Sequence, residues 1–147
     1  ALTGCVSVAH KPTVMLQGTN QVTLTYRDRV YRYDGHPFIE ASISGVTGAF
    51  MIDTGANVPV LTMTAMRRCG IPLSRIASQN VHTWDGDVSM KVVTNVTVTL
   101  APNVSVHWPI ALVWPKDEPH FGVIDFWTLS AAHAVMDLNR KTITITR

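Results

Sequence analysis

The chain has 147 residues, 46% of them hydrophobic and 15% charged, with a formal net charge of +2. That composition excludes a disordered chain and suits one domain with its own core. The dispersed basic residues argue against a nucleic-acid binder, and no apolar run approaches the roughly 18 residues that a membrane span needs.

In chain order, the first signal is Leu2-Thr3-Gly4-Cys5. An apolar residue, two small residues and a cysteine resemble the end of a bacterial lipobox, whose cysteine is lipidated and heads the mature protein. In that reading residues 1–19 are a tether, lipid-anchored at Cys5, and the folded domain spans 20–147. The opposing reading is a chance four-residue match in a frayed terminus. Cys69 then stays unpaired or joins Cys5 in a disulfide. The two cysteines and six histidines show no ligand spacing, so neither a metal nor a cofactor is expected.

Residues 22–26 alternate as a strand, Tyr33-Asp34-Gly35-His36-Pro37 reads as a turn, and 38–43 form a second strand. Ser44-Gly45-Val46-Thr47-Gly48 connects tightly into 49–52, which pairs back as a hairpin ending at Asp53. A short helix follows, with Thr62 or Thr64 as N-cap, 65–69 as its body and Gly70 as its stop. Residues 81–83 and 88–93 flank Trp84-Asp85-Gly86-Asp87 as a hairpin, and 96–100 and 104–113 continue the sheet. Gly122-Val123-Ile124 is a short apolar strand, and residues 125–132 form a helix with a carboxylate at its start. Residues 134–138 and 142–146 are closing strands. Many short strands with two short helices predict a mainly β domain closed into a barrel.

The most informative stretch is Phe50-Met51-Ile52-Asp53-Thr54-Gly55-Ala56. A carboxylate set between apolar runs is costly to bury unless it is hydrogen-bonded or shares a proton with another acid. The chain holds one such motif, so a two-acid site needs a second chain.

From the hairpin before Asp53 to the C-terminus the chain resembles the single-domain, retropepsin-like aspartic proteases, a group that includes retroviral proteases and bacterial relatives. The resemblance covers residues 36 to 147, about three quarters of the sequence. It rests on parts that recur in order. These are Asp53-Thr54-Gly55-Ala56 with Val60-Leu61 after it, a helix ending at Gly70, and a hairpin with Asp85-Gly86 at the place of the family's flap. Gly122-Val123-Ile124 then leads into a helix and the strand Val135-Met136-Asp137-Leu138. Two positions depart from the pattern. Bacterial relatives often carry a glycine after the late apolar pair, where an ungapped reading places Asp125; alternatively Gly122 is that glycine and the helix start is shifted. Pro59 stands where a hydroxyl residue is common, which removes a loop hydrogen bond.

The resemblance implies a homodimeric aspartic endopeptidase, one half of the site coming from each chain. Asp53 and its copy would share a proton and activate a water between them. Thr54 would lock the loop across the dimer, Gly55 allow the tight turn, and Ala56 withhold a hydroxyl from the carboxylates, which predicts activity at weakly acidic to neutral pH. Asn57 would contact substrate main chain, and Trp84, Asp85 and Gly86 would form the flap tip. The alternating 142–146 strand is a candidate to pair with its copy, as retroviral termini do. Asp125 reads as a helix cap in preference to a second in-chain catalytic acid. The expected partners are a second copy and a protein or peptide substrate, with no nucleic acid and with membrane association through Cys5. Limited processing in a bacterial envelope, periplasm-facing or at the surface, fits that set. Two rivals stand beside it: a non-cleaving, peptide-binding or scaffolding lipoprotein with the same fold, and a monomeric structural lipoprotein.

Overall fold

The computed structural model describes residues 11–31, 34–73, 78–83 and 85–147. Cys5 and Trp84, the expected lipidation site and one part of the expected flap tip, lie outside the described residues. The first half of the chain gives β1 (Thr13–Leu16), β2 (Gln21–Thr25), β3 (Arg27–Tyr31), β4 (Asp34–Ile43), β5 (Val46–Ile52), β6 (Val60–Thr62) and α1 (Met63–Arg68). The second half gives β7 (Gln79–Thr83), β8 (Gly86–Ala101), β9 (Val104–Trp114), β10 (Gly122–Ile124), α2 (Phe126–Ala131), β11 (Val135–Asp137) and β12 (Thr142–Thr146). The domain is mainly β with two short helices, as expected. The strands form a nine-stranded sheet, within which β8 pairs with both β4 and β9, and a three-stranded sheet.

The long antiparallel pair β8–β9 and the hairpin β4–β5 frame the larger sheet. Between them, β10 runs parallel to β5 and antiparallel to β6. The β4–β5 turn is tighter than the five-residue connection predicted. Only Ser44 and Gly45 form it, both at positive φ (50° and 78°), the two-residue geometry whose twist matches paired strands. Phe50, Trp108 and Phe121 are almost fully buried and meet edge to face, with ring centroids 6.2 and 6.1 Å apart. A second apolar cluster joins Ala56 and Val58, just past the Asp53 motif, to Val81 and Met90 of the β7–β8 hairpin.

Three expectations are corrected. Asp34 to Pro37 are not a turn; they lie in β4, opposite β3, with Tyr31 facing Asp34 and Asp28 facing Pro37. Strand β3 escaped notice because its Arg-Asp-Arg run is exposed on both faces and shows no apolar alternation. The expected tether contains β1, which pairs with β9 (Leu16 opposite Val104) and buries Leu16 in the core. Finally, β12 is no free edge: it pairs with β11 on one side and with β2 on the other. Its alternation reflects Ile143 and Ile145 facing the core, and from Thr142 to Thr144 both of its edges are taken, which leaves a copy little strand to pair with.

His120 closes the side of this core. It is buried against Tyr31 and Phe38, at ring distances of 5.0 and 5.7 Å, and among the described residues its Nδ1 has no hydrogen-bond partner. Burial holds the imidazole below its ordinary range, against an opposing pull from Glu118. The unfolded chain therefore takes up a proton near pH 6.5 that the folded chain resists. Stability is expected to fall as pH drops through that value and to level off below the folded-state value. His120→Phe should remove this component, so urea titrations of both proteins across pH 4.5–8 should diverge only on the acid side. Parallel curves would contradict the assignment.

Candidate active site

Asp53 follows directly on β5. Because β5 and β10 run parallel with Ile52 beside Ile124, their ends lie side by side, and the chain leaving each can hold the other. The Asp53 N–H donates to the Ile124 carbonyl at 3.0 Å, and the Phe126 N–H donates to the Ala56 carbonyl at 2.9 Å. The segment 124–126 thus grips the loop at its first and last residues. Inside the loop, Asp53 Oδ1 accepts the Gly55 N–H at 2.8 Å and the Asp53 carbonyl accepts the Ala56 N–H at 3.2 Å. This is an aspartate turn closed by its own side chain. A Cβ on Gly55 would sit 3.1 Å from that oxygen, so glycine keeps the carboxyl where the turn needs it.

The four motif residues form one turn, with different exposures. Asp53 is half-buried, Thr54 and Gly55 are exposed, Ala56 is fully buried, and Asn57 is half-buried. Pro59 loses a donor, yet its carbonyl accepts the Leu112 N–H at 2.9 Å and ties the loop's exit to β9. Thr62, not Thr64, caps α1: it is buried, its Oγ1 accepts the Ala65 N–H at 3.2 Å and donates to the His120 carbonyl at 2.7 Å. Cys69 is the C-cap of α1, and burial pushes its thiol up against the pull of Arg68. That suits a small packing residue better than a nucleophile.

The hairpin at the expected flap position exists. Thr83 Oγ1 donates to the Gly86 carbonyl at 2.8 Å and accepts the Asp85 N–H at 3.2 Å, which shapes the tip. Asp85 and Asp87 are exposed, and Asp87 Oδ1 lies 2.8 Å from His82 Nδ1 across the hairpin. Beside the loop, a groove of about 490 Å³ is lined by Thr54, Phe126, Leu129, His133 and Met136, among others. Among the described residues no group of three or more metal-ligating side chains occurs.

The helix-cap reading of Asp125 holds, because its Oδ1 accepts the Thr128 N–H at 3.2 Å. Its full burial was not foreseen, nor was its link through Thr128 to Trp108. The spacing of a carboxylate and a hydroxyl residue three apart at a helix start was the available signal. Gly122, the other candidate for the family glycine, is required for a different reason: a Cβ there would lie 2.1 Å from the Val60 carbonyl oxygen.

The site this chain supplies is thus an Asp-Thr-Gly turn at the ends of the parallel strands β5 and β10. Residues 39–121 match the family described as gag-polyprotein putative aspartyl protease, and the chain belongs to that family. Two solved structures share the fold. A retropepsin-like aspartic protease from Rickettsia conorii is 18% identical, with a TM-score of 0.62 over 92% of this chain and 93% of that one. The retroviral protease-like domain of Ddi1 from Leishmania major is 19% identical, with a TM-score of 0.55 over 75% and 86%. No match was found among curated protein sequences.

Proposed function

We propose that the protein is an aspartic endopeptidase whose site is completed by a second copy, each chain contributing Asp53. The observation that carries this reading is the loop itself. One carboxyl stands on a turn held by backbone hydrogen bonds, next to an exposed Thr54-Gly55 tip that has space for another molecule. Two such carboxyls side by side cannot both ionise cheaply and hold one proton between them. The ionised acid takes a proton from a bound water, which attacks the peptide carbonyl; the protonated acid donates to the carbonyl oxygen. Collapse of the tetrahedral intermediate breaks the C–N bond and the amine leaves with a proton. The turn contributes by fixing the carboxyl before substrate arrives.

The groove lined by Thr54, Phe126, Leu129 and Met136 is contiguous with the tip, and we place the second copy there, since terminal strand β12 has little free edge to offer. A lipid on Cys5 would confine cleavage to a membrane surface and to substrates within reach of the tether. Specific activity per chain is expected to rise with protein concentration and to reach a plateau where sedimentation shows the dimer. Constant specific activity across a thousand-fold dilution, with monomers throughout, would overturn the two-copy site.

A further inference from the structure

Asp125 takes no part in the reaction just described, yet it is a carboxyl with 0% exposure directly beneath the active-site loop. Its Oδ1 accepts both the Thr128 N–H at 3.2 Å and the Thr128 hydroxyl at 2.5 Å. The same hydroxyl accepts the indole N–H of buried Trp108 at 2.9 Å. Among the described residues Asp125 Oδ2 has no hydrogen-bond partner. An N-cap alone does not need this arrangement, because a serine or threonine caps as well without burying an unpaired oxygen. What distinguishes the position is its neighbours. Ile124 and Phe126 hold the two ends of the 53–56 loop, through Asp53 N–H to Ile124 O at 3.0 Å and Phe126 N–H to Ala56 O at 2.9 Å. The side chain between them is anchored, through Thr128 and Trp108, to the core.

We propose that Asp125 is a positioning residue for peptide cleavage: by fixing the 124–126 backbone through Thr128 and Trp108, it sets where Asp53 stands. The inference rests on the endopeptidase reading for its catalytic consequence and on the hydrogen bonds alone for its structural one. Burial pushes the carboxyl above its ordinary range, against the opposing hydrogen bonds from Thr128 and from the backbone of Asp125 and Trp127. An asparagine preserves both its shape and the Oδ1 acceptor.

The test uses wild type, Asp125→Asn, Asp125→Ala and Thr128→Val, with two readouts: steady-state kinetics on a cleaved peptide, and amide hydrogen exchange at Asp53 and Phe126. Asp125→Ala is expected to lower kcat about 10- to 100-fold with KM within about twofold. Exchange at those two amides should rise at least about tenfold, while Leu24 in the β2–β12 sheet stays unchanged. Thr128→Val should move both readouts the same way, and Asp125→Asn should keep both within about threefold of wild type. Should Asp125→Ala fail to fold, Thr128→Val carries the decision. Unchanged exchange and kcat in Thr128→Val, or exchange rising equally at Leu24, would overturn the proposal. So would an Asp125→Asn enzyme as impaired as Asp125→Ala. If wild type cleaves no peptide, the endopeptidase reading fails on its own, and the exchange readout still decides whether Asp125 positions the loop.

Discussion

Asp53→Asn is expected to lower kcat/KM by at least about 1000-fold while leaving the fold intact. The substitution separates chemistry from structure with unusual clarity at this position. The asparagine Oδ1 can accept the Gly55 N–H as the aspartate does at 2.8 Å, and the main-chain bonds from Asp53 to Ile124 and Ala56 do not involve the side chain. The loop should therefore keep its shape. What is lost is the ability to take a proton from water, since an amide at this site neither ionises nor shares a proton with a second acid. Losses of this order are usual when a group that acts as both acid and base is removed. Peptide cleavage, circular dichroism and thermal unfolding of the two proteins check the claim together. Retained cleavage in the variant would remove Asp53 from the mechanism. Absence of cleavage in wild type over a broad peptide library would favour the non-cleaving peptide-binding reading.

Gly122→Ala is expected to destabilise the fold by about 3 kcal/mol, or roughly a 10 °C fall in Tm. The added Cβ would sit 2.1 Å from the Val60 carbonyl oxygen and 3.2 Å from the Phe50 ring. Neither neighbour can retreat. Gly122 is paired with Phe50 on one side and Leu61 on the other, and Phe50 is fully buried. The main chain just before it is also tied, because the Phe121 N–H donates to the Ala49 carbonyl at 2.7 Å and the Phe121 carbonyl accepts the Thr62 N–H at 2.8 Å. Any shift of β10 would travel to Ile124 and so to Asp53. Activity should fall along with stability. Gly35→Ala serves as the control: a Cβ there meets nothing within 4 Å, and the expected change is within about 0.5 kcal/mol. Equal denaturant midpoints for Gly122→Ala and wild type would show that β10 has more freedom than its pairing implies.

Local chemistry was the legible part of this protein. The Asp53 turn, the Thr62 cap, the Gly70 stop at φ 64° and the Asp125 cap all depend on residues within a few positions of one another. Their side chains satisfy neighbouring backbone groups, so the sequence alone displays them. Long-range pairing was less legible. Strand β3 is exposed on both faces and is recruited by β4, and β1 is a four-residue strand with one buried residue, Leu16. The alternation of 142–146 announced a strand correctly but said nothing of which neighbours fill its edges. Asp125 shows the same limit within the site. Its cap was visible, while its complete burial depends on Trp108, which is far away in sequence and reaches it through Thr128.

The central claim is that one working site takes an aspartate from each of two chains, and mixing tests it most directly. Wild type and Asp53→Asn chains would be combined, unfolded and refolded together at fixed total concentration, and cleavage measured against the fraction of wild-type chain. If both acids are needed, mixed dimers are inactive and activity follows the square of that fraction, so an equal mixture retains about a quarter of full activity. Activity directly proportional to the fraction, with half retained in the equal mixture, would mean that each chain carries a complete site and would contradict the account.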